Sequence, residues 1–587
     1  MKDANAEVIP VDEYVREELY PGYAPAHGDV PFVAEPVRPF RTEDNGRFWF
    51  RDALHFGVGL VPGSIALLDD AQTWGTQLGA EIVGVPPTLG MANRLLGTHV
   101  YLGAIDVTSE WEIQARAARF GSYVGPMLER FDAMWARYEE EFRSAYRHFE
   151  GLDLAAMDAG QLWTALKDAY TFHKRGWYIH FEVMYAMVAN YLAFYELAGE
   201  LGLEGSSISR FLAGRPTTYL KTDEELWKLA TRARELGVDG TLLAHEPPAL
   251  RGALEQVSAG RTWWREFEQF LQVYGWRTEE TCTIDTPPWI DDPSPPLSTI
   301  SAFLAKPEGH DFRAAEQAAI AERESLIEEA RRKLGTGSDR ERFDQALATN
   351  QRANFAWWND EHNYLIDRRI QIPVHRISLA LGRHLVDAGR VQQPDDIFFL
   401  FKPELYRVME SDGAEWPRLR ALVPDRRAFF EDWRPRGPQL PPVLGTVPER
   451  VTDPLMIEIF GISDRWLETV RGREPAEELT GFPASRGTAE GPARVLHSAS
   501  ELHRVQAGEI LVCGGTTTEW TPAFGLVGAC VCDGGGSLSH AAIVSREYGI
   551  PCVVGTAVAT QRIATGDRIR VDGAAGTVRV YRAPTAR

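Results

Sequence analysis

The sequence predicts a multidomain α plus α/β protein: a large, mainly helical region followed by a smaller C-terminal domain that mixes strands with a helix. Three observations predict it. The 587 residues exceed what one ordinary core organises, so two to four domains are expected. From about 45 to 433, stretches such as MLERFDAMWARYEEEFRSAYRHFEG (127–151) and HDFRAAEQAAIAERESLIEEARRKLG (310–335) repeat apolar residues at helical spacing, and alternating runs are scarce. After 478 the pattern changes to short β-rich runs.

Taken in order, residues 1–44 are rich in Pro, Glu and Asp without helical periodicity and are expected to form an extended arm. Residues 45–433 form the helical domain, in which no fixed-period repeat points to a solenoid. Pro and Gly cluster in RPRGPQLPPVLGTV (434–447), which reads as the start of a linker or hinge over 434–477. The last domain, 478–587, contains ARVLHS, EILVCG, GACVCD, CVVGT and DRIRVDGAAGTVRVY, the last with a hairpin signal at Asp572-Gly573.

Composition excludes several classes. The formal net charge of −21 argues against a general nucleic-acid or anionic-membrane binder. No uninterrupted apolar run of membrane-spanning length occurs, and MKDANAEVIPVDEY lacks an apolar signal core, so a soluble, cytoplasmic protein is expected. Five cysteines make an odd count and predict no disulfide framework. Cys530-x-Cys532 sits in GLVGACVCD, where alternation suits packing on one strand face, and no metal site is expected.

Residues 533–555, DGGGSLSHAAIVSREYGIPCVVG, are the most informative segment. Gly534, Gly535 and Gly536 bring backbone close to an anion, Ser537 or Ser539 can cap a helix, Ala541 to Tyr548 reads as that helix, and Gly549 and Pro551 end it. His540 therefore sits at a helix start. The positive end of the helix dipole disfavours imidazolium and keeps a ring nitrogen nucleophilic, and free N–H groups there stabilise negative charge once the ring is phosphorylated.

This string, with TTTEWTPAF (516–524) and GFPASRGTAEGPARV (481–495), resembles the swivelling phosphohistidine domain of phosphoenolpyruvate-utilising enzymes, a family that includes pyruvate phosphate dikinase, phosphoenolpyruvate synthase and rifampin phosphotransferase. The resemblance implies a β/β/α domain, places the phosphorylated histidine at His540, and marks Ser539 and Arg546 as motif neighbours. Leu538, before the Ser-His pair, resembles the rifampin phosphotransferase branch. More weakly, FLAGRPTTYLKTDEELWKLA (211–230), YGWRTEETCTIDTPPWIDDP (274–293) and RISLALGRHLVDAGRVQQPDDIFFLFKPEL (376–405) resemble that branch's acceptor-binding domain. Where the branch carries an Arg-Glu pair followed by Lys near its transfer site, this chain reads WWNDEHNYLIDRR (357–369). Asp360, Glu361 and His362 in that string, and His55 in FWFRDALHFGVGLVP (48–62), are the candidate acceptor-site acids and bases, each of which also fits a solvated face or a satisfied core position. Arg368, Arg369 and His375 are candidates for steadying phosphate charge, and Trp49, Trp276, Trp289, Trp357 and Trp358 for walling a pocket around a flat apolar ring.

A donor site is not visible, since the chain has no GxxxxGK[ST] loop and nothing recognisable as an ATP-grasp domain. The arrangement resembles split phenylphosphate synthase and cresol-phosphorylating enzymes of aromatic compound degradation. It implies a separate ATP-binding, ATP-grasp-like subunit that binds Mg²⁺ and ATP, a covalent phosphohistidine, and a small phenolic acceptor that leaves as aryl phosphate alongside AMP and phosphate. Two alternatives stand beside it: a rifampin-type antibiotic phosphotransferase with a detached ATP domain, and a phosphocarrier or regulatory relay.

Overall fold

The computed structural model describes residues 7–15, 20–23, 35–203, 207–304, 312–451, 454–472, 478–517, 520–537 and 539–581. Leu538 falls outside them. Within them the chain is a multidomain α plus α/β protein in which each of two sheets organises one part.

The first sheet corrects the expectation of a region poor in strands. Strands β1 (Glu7–Ile9), β2 (Arg38–Pro39), β3 (Phe48–Arg51), β4 (Thr88–Leu96), β5 (His99–Asp106) and β6 (Val443–Val447) form a sheet in the order β1-β6-β3-β5-β4-β2. The hairpin β4–β5 is masked in sequence because both its faces are largely buried, so it reads as an apolar run rather than an alternation. Its two-residue turn depends on Gly97, which has φ +58° and would drive a Cβ to 2.1 Å from the Trp433 ring.

The same sheet reassigns both flanks. The described parts of the expected arm supply β1 and β2. The expected linker supplies β6, which pairs antiparallel with β1 on one side and with β3 on the other. Pro441 and Pro442 precede β6 and leave the ladder donors of 443–447 intact, which is why a Pro-rich stretch delivers an interior strand. Beyond it lie the helices Pro454–Glu458 and Asp464–Val470.

Helices cover the sheet. The longest, Ala159–Glu200, begins with a capping box of Asp158 and Gln161 and runs through the core beside Ile372–Asp387. The two long stretches legible in sequence fold as Phe131–Glu150, after Glu110–Glu129, and as Phe312–Leu334. A satellite core built on Thr218–Leu236, Ser258–Tyr274 and Ser294–Leu304 packs Trp263, Phe267 and Phe270 in a ladder of stacked rings.

The second sheet contains β7 (Glu478–Thr480), β8 (Phe482–Ser485), β9 (Thr488–Leu496), β10 (Ile510–Cys513), β11 (Ala529–Cys532), β12 (Cys552–Val554), β13 (Arg568–Asp572) and β14 (Thr577–Tyr581), in the order β7-β14-β13-β9-β10-β11-β12-β8. Strands β9 to β12 are parallel and the flanking pairs antiparallel. Cys513, Cys530, Cys532 and Cys552 all face the core beneath the helix His540–Tyr548, as free, fully buried thiols. Among the described residues no helix is long and apolar enough to cross a membrane.

One buried ion pair ties the helical layer together. Arg426 and Glu404, 0% and 1% exposed, form a bidentate contact at 2.7 and 2.9 Å, and Arg426 also donates to the Phe399 and Pro21 carbonyls. Replacing Glu404 by Leu strands that guanidinium in the core. The expected cost is about 3–5 kcal/mol, read as a lowered midpoint in chemical denaturation; a loss under about 1 kcal/mol would show that the pair is dispensable.

Candidate functional site

His540 opens the helix His540–Tyr548, which Gly549 closes in the left-handed conformation at φ 67°. Its ring is held at both nitrogens: Thr516 Oγ lies 3.0 Å from Nδ1 and Thr521 Oγ 3.3 Å from Nε2, while Phe524 meets the ring edge-on at 6.0 Å. Both threonines belong to the TTTEWTPAF string, and nothing in their spacing from His540 announces the contact. Ser539 occupies the cap position, but its hydroxyl donates to the Gly536 carbonyl at 2.8 Å and makes no capping bond. The serine hydroxyl therefore leaves the helix-start N–H groups uncapped by its side chain. Arg546 braces the loop from behind, donating to the Ala542 carbonyl at 2.8 Å and to the Ser537 carbonyl, and reaches Ser209 Oγ at 3.0 Å on the helical side.

The glycines before His540 serve a packing purpose. Gly535 and Gly536 N–H donate to the Phe460 and Ile459 carbonyls at 3.0 and 3.1 Å. A Cβ on Gly536 would lie 2.2 Å from the Ile457 carbonyl oxygen, and one on Gly461 2.1 Å from that of Gly535. Glu458, buried and with its carboxyl held above the usual range by that burial, accepts from Ser537 Oγ. On the other side Gly515, next to Thr516, packs on Leu54, the neighbour of His55.

Those contacts bring the His540 loop beside a large cavity. A space of about 620 Å³ lies between β3–β5 and the helix Ala159–Glu200, and Ile459, Phe460 and His55 are among its lining residues. The long helix contributes Trp177, His180, Phe181, Met184 and Tyr185, one face at spacings of three and four. Strand β3 contributes Phe48 and Phe50. Polar side chains also line it: His55, His180, Asn359, His362, Asn363 and Asp367 on one side, with Arg47, Gln72, Thr88 and Asp106 among the others.

Of the candidates read from sequence, His55 and His362 line this cavity. His55, about a third exposed, holds Asp52 Oδ2 at 2.8 Å through Nδ1; burial opposes its charge, yet the Asp52 carboxylate outweighs that and raises its pKa. His362 is buried, stacked on Trp358 at 4.0 Å, and pushed down to about 3 by burial and by the neighbouring His180, so it is neutral.

The remaining acceptor-site candidates lie elsewhere, for geometric reasons. Helical phase turns Phe355, Asn359, His362 and Asn363 to the cavity and carries 357, 358, 360 and 361 away from it. Glu361 instead accepts from Thr218 N and Oγ at 2.6 and 2.9 Å, capping another helix. Asp360 does not line the cavity. Trp358 is core, and Trp357 stacks under Arg215 at 3.5 Å. Strand alternation points Trp49 into the core against Asp44, Arg47 and Arg94, opposite Phe48 and Phe50. Trp276 and Arg369 line a separate small crevice, where Glu150 neutralises Arg369 and Tyr146 stacks on it. Arg368 donates to the Glu279 carbonyl, His375 bonds the Ile284 carbonyl, and Trp289 lies under Arg277. Sequence reasoning missed Phe48, Phe50, His180, Asn359, Asn363, Asp367, Thr516 and Thr521. An alternation test on β3 finds the two phenylalanines, whereas His180 lies in a helix apolar on several sides and carries no local signal.

Two segments of the chain match known families. Residues 178–360 match the rifampicin phosphotransferase fourth domain, and residues 505–576 the mobile domain of PEP-utilising enzymes. The chain is 30% identical over 580 residues to chondramide synthase cmdD of Chondromyces crocatus, covering 96% of this chain and 14% of that protein. It is 28% identical over 489 residues to the uncharacterized phosphotransferase YvkC of Bacillus subtilis (82% and 56%) and 26% identical over 316 residues to the rifampicin phosphotransferase of the same organism (53% and 34%). The chain thus spans about half or less of the length of these curated relatives.

The loop also contains a titrating group. Asp533, at the head of the glycine run, is pushed up to about 6 by burial, against Thr560, whose N–H donates to it at 3.0 Å. A carboxyl whose folded pKa exceeds its unfolded value, near 3.9, contributes its stability at low pH and loses it as pH rises through about 6. Between pH 5 and pH 7, Asp533→Asn should therefore gain on the order of 1 kcal/mol relative to wild type in urea titrations. A difference that stays flat with pH would contradict this assignment.

Proposed function

Because the chain belongs to the PEP-utilising enzyme family, we propose that it is the phosphohistidine-bearing part of an ATP-dependent phosphotransferase that phosphorylates the hydroxyl of an apolar, ring-bearing small molecule. The observation that carries this reading is the position of the His540 loop, whose glycines bond the backbone of residues that wall the 620 Å³ cavity. A relay protein has no need of such a cavity.

Mg·ATP binds outside these residues, on an ATP-grasp-like subunit, and its β-phosphoryl group moves to His540. Thr516 accepts from Nδ1–H and leaves the Nε2 lone pair as nucleophile; Thr521, at 3.3 Å, and the helix-start N–H groups then donate to the phosphoryl oxygens. At the acceptor station the new O–P bond forms as the P–N bond breaks, with the electron pair returning to the imidazole. The hydroxyl proton passes to His55, whose Nδ1–H is directed at Asp52 so that Nε2 is free to accept it. A phenol, with its low hydroxyl pKa, needs little help from this base. Positioning and charge stabilisation supply the rest.

The cavity favours one of the two acceptors that the sequence leaves open. A single phenol or cresol ring fills a small part of 620 Å³, a volume suited to a drug-sized ligand. An acceptor of several rings, in the manner of the rifampicin phosphotransferases, fits better.

The test is a charging assay with the ATP-binding partner and Mg·ATP, followed by mapping of acid-labile phosphate. His540→Ala should abolish labelling, and Thr516→Val should slow it by about 10- to 100-fold through loss of ring orientation. Full labelling of His540→Ala would remove the reading. His55→Gln should charge normally yet transfer to acceptor about 10²-fold more slowly; unchanged transfer would take the base away from His55.

A further inference from the structure

The cavity wall holds a group of side chains that the transfer step leaves unused. His180 comes from the long helix Ala159–Glu200, His362 ends the helix Phe355–His362, and Asp367 ends the π-helical turn Asn363–Asp367. The turn sets the geometry. Arg368 N–H bonds the Asn363 carbonyl at 3.0 Å, an i to i+5 contact, and this wider turn swings Asp367 beneath the residue five positions earlier, His362. The three side chains are 7%, 3% and 3% exposed, and one donor atom from each lies within 4.8 Å of the others.

The hydrogen-bond count around them does not close. His362 Nδ1 lies 2.9 Å from the Trp358 carbonyl, an acceptor, so the hydrogen sits on Nδ1 and Nε2 presents a lone pair. That lone pair faces Asp367 Oδ2 at 3.9 Å, a second acceptor. His180 Nδ1 and Asp367 Oδ1 are 3.3 Å apart but misaligned, and each is buried without a hydrogen-bond partner. His362 Nε2 and Asp367 Oδ2 thus face each other as acceptors in a buried gap, an arrangement that a cation between them satisfies.

We propose that His180, His362 and Asp367 bind a divalent transition-metal ion, zinc by preference, in the wall of the cavity. Two imidazoles and a carboxylate suit zinc, whose catalytic-type sites use three protein ligands and keep a position open. Tetrahedral zinc places its ligand atoms roughly 3.4 Å apart, and the three donor atoms, already within 4.8 Å of one another, close onto an ion by side-chain contraction. The Nδ1–H bond from His362 to the Trp358 carbonyl is the outer support that fixes a ligating ring. With one carboxylate against a dication, the site keeps a net positive charge and its open position faces the cavity. Its use rests on the reading of that cavity as the acceptor site: the ion ligates the acceptor oxygen as its proton leaves for His55 and holds it as hydroxylate for attack on the phosphorus.

The test uses the full chain and the metal alone, so its outcome is independent of any phosphoryl transfer. After dialysis against Zn²⁺, elemental analysis should find one ion per chain and the thermal midpoint should rise. Co²⁺ loading should give visible ligand-field bands without the intense near-ultraviolet thiolate band. His362→Ala and the nearly isosteric Asp367→Asn should each weaken binding at least tenfold and abolish the thermal rise, while Cys530→Ala, in the other buried group of donor atoms, Cys513, Cys530 and Cys532, should leave both unchanged. Absence of bound zinc in wild type overturns the proposal, as does zinc retained in full by folded Asp367→Asn, or a thiolate band lost with Cys530→Ala. If zinc binds as described and transfer is absent, the acceptor reading fails and the metal site stands.

Discussion

The close backbone packing of Gly535 and Gly536 on residues 457–461 sets where His540 lies relative to the cavity. No side chain fits between them: Cβ atoms at Gly536 or Gly461 would come within 2.2 Å of a carbonyl oxygen. The result is a contact made of N–H and C=O groups alone, with directions fixed by the ladder-like bonds from Gly535 and Gly536 to Phe460 and Ile459. Because Phe460 lines the cavity and accepts from the glycine loop with its carbonyl, one residue separates the cavity from the loop that carries His540. The other flank repeats the arrangement, with Gly515 on Leu54 and His55 beside it in the cavity wall.

This arrangement explains why the chain combines an unusually wide set of glycine contacts with a cavity that is mostly apolar. The glycines let the two parts approach to backbone distance, and the apolar share of the cavity wall strengthens whatever charge is placed in it. Its histidines differ in setting: His55 is partly exposed and paired with the buried Asp52, whereas His180 and His362 are buried beside Asp367, and His362 is neutral.

What was legible in the sequence was what is local. The glycine run, the helix His540–Tyr548, its left-handed Gly549 stop and the strand at Cys552 all follow from residues within a few positions of one another. The strands after 488 were legible for the same reason. The acceptor part resisted because its information is non-local. Strand β6 comes from a Pro-rich stretch that reads as a tether and is held by partners some 400 residues earlier in the chain. In WWNDEHN the residue types attracted notice, but helical phase selects Asn359, His362 and Asn363 and turns Asp360 and Glu361 away. At β3 the large Trp49 stood out, and the alternation assigns the cavity to its smaller neighbours. His362 and Asp367 meet through a π-turn, and helical periodicity of 3.6 does not reveal a pairing at i+5.

The most direct measurement of the central claim is rapid-quench kinetics of phosphoryl flow through Gly536→Ala, whose added methyl group pushes the loop off the Ile457 and Glu458 carbonyls while leaving His540, Thr516 and Thr521 in place. If docking of this loop beside the cavity delivers the phosphoryl group, His540 should charge from ATP at close to the wild-type rate and discharge to acceptor at least about 10²-fold more slowly, since misplacement by about an ångström carries that penalty. Discharge at the wild-type rate from a normally charged Gly536→Ala would contradict the account.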